Sequence, residues 1–167
     1  MAGALIVTAE LGAADVASLD RERRLYFPPD RNQLTAHLTM FHALPPSLEG
    51  EVRGRLKAEC AAPPPAASLA GLINLGGGVA YRVASPGLDS IRQSLADHFH
   101  GSLTGQDAAG WRAHVTIQNK VPPQEARALF DRLQREFRRR PIAIHGLALH
   151  RYLGGPWERL GRWPFRA

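Results

Sequence analysis

Two short patterns in this 167-residue chain set two imidazoles and two hydroxyls where one reaction could use them all. They are His37-Leu38-Thr39-Met40 and His114-Val115-Thr116-Ile117. Residues two apart in an extended strand point to the same face. His37 is therefore expected to project with Thr39, and His114 with Thr116. Leu38, Met40, Val115 and Ile117 then fill the opposite, apolar face. Chance explains the repeat poorly. With five threonines in 167 positions, a given histidine has one two places on in about 3% of cases (5/167), and two such matches among seven histidines is an event of about 2%. Imidazole serves as acid or base near neutral pH. Two of them on opposite sides of one reacting centre would let the first take a proton from water while the second protonates a departing oxygen. The Thr39 and Thr116 hydroxyls are short donors suited to an oxygen on which charge builds in a transition state.

The same strands supply further candidates. Phe41 shares the expected His37 face, where it could stack on a base or belong to the core. Gln118 and Lys120 continue the expected His114 face, with Lys120 adding positive charge near a phosphate or standing solvated at a strand end. His42 falls on the other parity and is read as structural, pointing away from the cleft. His98 and His100 flank a helix end, where a cation suits the dipole, and His145 and His150 fall on opposite faces of their strand. No His-Glu-x-x-His or Cys-His set with zinc-ligand spacing occurs, so no metal or other cofactor is expected. Gly76-Gly77-Gly78 lacks the Lys-Ser/Thr of a nucleotide-binding loop and is read as a turn. Arg135, Arg138, Arg139 and Arg140 mark a solvated helix end able to touch a phosphate backbone.

The elements that must position these residues follow from apolar periodicity and from prolines. Ala4–Glu10 and Leu34–Ala43 read as strands, separated by a helix from Asp15 to Leu25 and a rigid Phe27-Pro28-Pro29 loop. Ser47 is a candidate cap for a helix from Leu48 to Ala61. Ser68–Leu75 and Val79–Ala84 form a hairpin through the three glycines. A helix from Gly87 to Phe99 follows, then a glycine-rich loop, 101–110, that could move over a site. Arg112–Val121 reads as a strand, Gln124–Arg139 as a helix, and Ile142–Leu153 with Trp157–Trp163 as a closing hairpin. A strand, Pro-Pro, helix, hairpin order thus occurs at Leu34–Ala84 and again at Arg112–Trp163, a duplication visible in architecture rather than in residue identity. The starts of the two histidine patterns lie 114 − 37 = 77 residues apart. Interleaved helices and hairpins point to an α+β class with mainly antiparallel pairing.

Composition sets outer limits. A hydrophobic fraction of 44% with 22% charged residues fits a folded chain and excludes a disordered one. No apolar run reaches the roughly 18 residues of a membrane span. The apolar start lacks a basic region and is broken by Glu10, so it reads as a strand rather than a leader. The single cysteine, Cys60, excludes an intramolecular disulfide and suits a cytoplasmic protein. A net charge of +6, carried almost wholly by arginine, is compatible with a phosphate-bearing partner, and equally with a GC-rich genome.

Paired His-x-Thr-x on equivalent strands of a duplicated α+β chain resembles the two-histidine phosphoesterase superfamily. The stretches FPPDRNQLTAHLTMFHALP and WRAHVTIQNKVPP resemble its bacterial 2'-5' RNA ligase branch. The resemblance spans almost the whole chain. It implies a single two-lobed domain over residues 1–167, with two mainly antiparallel sheets facing a central cleft and helices outside. It also implies metal-independent chemistry on RNA ends: hydrolysis of 2',3'-cyclic phosphates, or cleavage or ligation of 2'-5' linkages. On that reading the chain is a monomer, His37 and His114 are catalytic, and Thr39 and Thr116 hold the phosphate. Two alternatives stand beside it: a non-catalytic module that binds RNA ends or nucleotides, and a hydrolase of a small non-RNA cyclic phosphate.

Overall fold

The apolar run near the start of the chain becomes the strand around which the first sheet is built. In the structure, a computed structural model describing residues 3–167, this strand β1 (Leu5–Leu11) is buried along nearly its whole length. Central position explains its composition, since a strand covered on both faces has no polar side to alternate with. On one edge it pairs with β2 (Leu38–Leu44). On the other it pairs with β7 (Ile144–Tyr152), which in turn pairs with β8 (Trp157–Pro164). The second sheet has the order β5-β4-β3-β6, from β3 (Ala67–Asn74), β4 (Val79–Ala84), β5 (His114–Gln118) and the short β6 (Arg140–Ile142). All pairings are antiparallel. With five α-helices, the class is α+β, as the sequence implies.

The duplication is interleaved. Each sheet draws two strands from before Ser85 and two from after it. The β3–β4 hairpin does not join β2, which precedes it, but receives β5 from the second half. Helices cross in the same way. Helix α1 (Ala13–Tyr26) packs on β5, and α5 (Pro123–Glu136) lies on β3 and β4. Helix α2 (Glu49–Glu59) covers β7 and β8, while α3 (Pro86–His98) reaches β2 through Arg92. One connected apolar cluster unites both sheets, including Leu38, Met40 and Phe41 of β2 and Val115 and Ile117 of β5.

Several boundaries differ from expectation for identifiable reasons. β2 begins at Leu38 rather than Leu34, so residues 32–37 form an irregular approach to the strand. Ser47 lies inside a single 3-10 turn, and α2 starts at Glu49 without a side-chain cap. Ser85 does cap α3, its Oγ accepting from Leu88 N at 3.2 Å. The 101–110 loop contains a short helix, α4 (Gly105–Ala108), whose Asp107 is fully packed. Gly78 is required where the hairpin meets β5, because a Cβ there would lie 1.9 Å from the Gln118 carbonyl oxygen. No described helix is long and apolar enough to cross a membrane.

Candidate active site

Both histidine patterns lie on edge strands, β2 of one sheet and β5 of the other, and these two edges touch. His37 stands one residue before β2 and His114 is the first residue of β5. The two rings are held by the same local device. His37 Nδ1 lies 2.7 Å from the Thr35 carbonyl oxygen, and His114 Nδ1 lies 2.8 Å from the Arg112 carbonyl oxygen. A carbonyl only accepts, so Nδ1 carries the hydrogen in both neutral rings and Nε2 is the free nitrogen. Each imidazole is thus fixed by a bond to the residue two places back, with its Nε2 unspent.

His37 is half-buried, and its surroundings hold its pKa below the ordinary histidine value. Loss of solvation is the main cause. The bond to Thr35 acts in the opposite sense, and the positive charges of Arg23, His114 and His42 add to the lowering. The Trp157 indole meets the His37 ring edge-on, with centroids 4.9 Å apart. Arg23 is itself buried, donating from Nη1 to the Thr116 carbonyl at 3.0 Å and from Nε to Asn32 Oδ1 at 3.1 Å. It joins α1, β5 and the approach to β2 in one contact.

A β-bulge follows each His-x-Thr, and it overturns three of the face assignments. Thr8 faces Thr39 but Val7 faces Phe41, and Ala80 faces Thr116 but Val79 faces Gln118. One extra residue, Met40 or Ile117, is accommodated each time, and the alternation of faces slips by one. Phe41 is consequently fully buried beneath the Arg92 guanidinium, 4.0 Å from its ring centroid, and is core rather than a stacking platform. Gln118 turns inward, 3% exposed, toward Tyr26 and Leu129 and away from the histidines. Lys120 lies beyond the end of β5, exposed and at φ 65°, so it does not continue the strand face. Conversely, the residues one step further turn outward. His42 lines a groove with His114, and Asn119 lines one with His37.

Two grooves result, and each takes one of the two histidines. The first, of about 240 Å³, gathers His37, Thr116, Arg23, Arg31 and Asn119. The second, of about 370 Å³, gathers His114, His42, Trp111 and Arg112. Thr39 is half-buried opposite Thr8, and its carbonyl accepts from Trp111 Nε1 at 3.2 Å. Asp107 anchors this end of β2: its carboxylate accepts from the backbone N–H of His42 and Ala43 at 2.9–3.1 Å and from His42 Nδ1 at 3.2 Å. Burial pushes the Asp107 pKa up, but these donors outweigh it and hold the group below the usual carboxylate range. Arg23, His42, Asn119 and Trp157 were invisible as site residues in the sequence. Only the matched +5 offset of His42 from His37 and Asn119 from His114 hints at two of them. Among the described residues, no three His, Cys, Asp or Glu side chains gather as a metal site would need.

A sequence model of the 2'-5' RNA ligase superfamily matches residues 10–156. The chain belongs to the 2'-5' RNA ligase superfamily. No curated protein matches it in sequence. Its fold is similar to that of TT0787 from Thermus thermophilus, with a TM-score of 0.67 and 15% identity over 98% of both chains. It is also similar to Escherichia coli LigT solved with 3'-AMP, with a TM-score of 0.60 and 14% identity over 100% of both chains. The phosphate complex of LigT gives a TM-score of 0.56 and 16% identity over 99% of both chains. At these identities the likeness to the solved structures is one of fold. Membership of the superfamily rests on the sequence match, and it agrees with the family that the paired His-x-Thr motif resembles.

Proposed function

We propose that this superfamily member is a metal-independent phosphodiesterase acting on RNA ends, and that residues 1–167 work as one two-lobed, monomeric unit. The observation that carries the reading is the matched pair of Nδ1–carbonyl bonds. A buried structural histidine needs no free nitrogen, whereas here two rings from different sheets, on edge strands that touch, each keep Nε2 unspent. Environment separates their roles. His37, whose charged form is disfavoured, is the base, and His114 is the acid. In opening a 2',3'-cyclic phosphate, water attacks phosphorus and its proton passes to His37 Nε2. The new P–O bond forms as one ribose P–O bond breaks, and the departing oxygen takes the proton of His114 Nε2. The product is a phosphomonoester. With the 5'-hydroxyl of a second RNA end attacking in place of water and the ribose 3'-oxygen departing, the same groups would form a 2'-5' linkage; in the reverse of that step the 3'-hydroxyl attacks, the 5'-oxygen leaves and the linkage is cleaved.

Arg23, Arg31 and the Thr116 hydroxyl share the groove with His37, so they are suited to the non-bridging oxygens. Thr39 has the equivalent place in the first motif. The direct test is turnover of 2',3'-cyclic nucleotides and of RNA ending in a 2',3'-cyclic phosphate. Replacing His37 or His114 by alanine is expected to lower kcat/KM by about 10²–10⁴ each. Unchanged turnover in either variant removes the assignment. Binding of nucleotides without turnover by the wild-type protein would favour a binding module instead.

A further inference from the structure

A cavity beside His37 holds side chains that the acid–base reaction leaves unused. It measures about 200 Å³ and lies between β1, the loop Leu34–Ala36 and the start of β8, with His37 in its wall. Whatever occupies it sits next to the reacting phosphate. Sites for drug-sized ligands run to roughly 300–1,000 Å³, so this one suits a single heterocycle. The Trp157 indole forms one side, its ring 5.3 Å from that of His150 and closer still to His37. Single-stranded nucleic acid is recognised by such aromatic surfaces together with polar groups aimed at a base edge.

The polar group here is Glu10. It is the neighbour on β1 of Ala9, which faces Leu38, so it stands alongside position 37. Arg162 Nε donates to its Oε1 at 2.8 Å, and Arg159 Nη2 lies 3.3 Å from Oε2. Each carboxylate oxygen offers two lone pairs. With one guanidinium on each, two parallel acceptor positions remain. Guanine alone among the common bases presents two adjacent donors, N1–H and the N2 amine. Adenine and cytosine set an acceptor nitrogen beside their amine, and uracil flanks N3–H with two carbonyls, so each would oppose a carboxylate. Glu10 also distinguishes this cavity from the groove beside Arg23 and Arg31, which suits phosphate rather than a base edge.

We propose that this cavity is a guanine subsite, in which Trp157 stacks the base and Glu10 accepts from N1–H and N2. The inference deepens the phosphodiesterase reading and rests on it for its kinetic test. That test compares guanosine, inosine, adenosine and uridine 2',3'-cyclic phosphates as substrates. Guanosine is expected to exceed adenosine and uridine by about tenfold or more in kcat/KM, as a bidentate base contact typically gives. Inosine, which lacks the N2 amine, should fall between them. Glu10→Gln should bring the guanosine-to-adenosine ratio toward one. If that variant fails to fold, the inosine comparison on the wild-type protein still decides. Equal kcat/KM for all four bases overturns the subsite while leaving the phosphodiesterase reading intact. If no cyclic nucleotide is turned over, that reading fails, and calorimetric binding of 3'-GMP against 3'-AMP decides the subsite alone: tighter 3'-GMP binding supports it, and equal binding overturns it.

Discussion

At the residue scale, the pH response of the protein follows from two histidines pushed toward neutrality. Because the His37 pKa is lowered, its free-base form persists to more acidic pH than an ordinary imidazole would allow. The acidic limb of kcat/KM against pH is therefore expected below about 6.5, and a limb above that value would contradict His37 as base. His150 bears on stability instead. Burial, and then the charge of Arg159, bring its pKa to about 4, while Glu10 partly opposes the shift. Between about 6.5 and about 4 the unfolded chain binds a proton that the folded one refuses, so stability is lost as pH falls through that window. Discounted for partial solvent contact, the loss is about 2 kcal/mol, readable as a drop in urea midpoint between pH 7 and pH 4 that His150→Gln diminishes. The sequence reveals the histidines themselves because His-x-Thr occurs twice. It hides which neighbours flank them, since Arg23 and Trp157 arrive from 14 residues before His37 and 120 after it (37 − 23 and 157 − 37).

At the scale of elements, strand alternation holds only as far as the first irregularity. It is correct for Leu38, Val115 and the buried Met40 and Ile117, and it fails at Phe41, His42 and Gln118, each just beyond a bulge. No residue type announces those bulges. Asp107 fastens one of them. Replacing it by alanine removes an acceptor from the His42 and Ala43 N–H groups and from the His42 ring. The expected cost is about 3 kcal/mol, seen as a lower urea midpoint with little change in m-value. A midpoint within experimental scatter of the wild type would show the network to be dispensable. Helices were more legible than strands. The Ala13–Tyr26, Pro86–His98 and Pro123–Glu136 segments follow the expected cores closely, because apolar periodicity survives without tertiary help, aided in the last two by a preceding serine or proline.

At the scale of the whole molecule, interleaving decides what can fold alone. The architectural repeat was readable, but not that each hairpin completes the other half's sheet, because antiparallel pairing partners leave no trace in a single sequence. Residues 1–84 carry β1 to β4 and residues 85–167 carry β5 to β8, so neither half contains a complete sheet. Expressed separately, each is expected to remain largely unstructured, and mixing them should restore far-UV circular dichroism and turnover together. A half that folds cooperatively on its own would contradict the shared core.

The meeting of two terminal strands has a further consequence. An open sheet margin is a template for stray chains, yet here the exposed backbone of β2 is taken up by side chains. Thr39 and Met40 carbonyls are occupied by Trp111 and Arg92, and the amides of His42 and Ala43 by Asp107. Arg23 does the same for the Thr116 carbonyl of β5. The seam that carries His37 and His114 is thereby also the molecule's guard against self-association. Variants that widen it to admit bulkier substrates should aggregate before they unfold, which light scattering during mild heating would register ahead of any loss of helix signal.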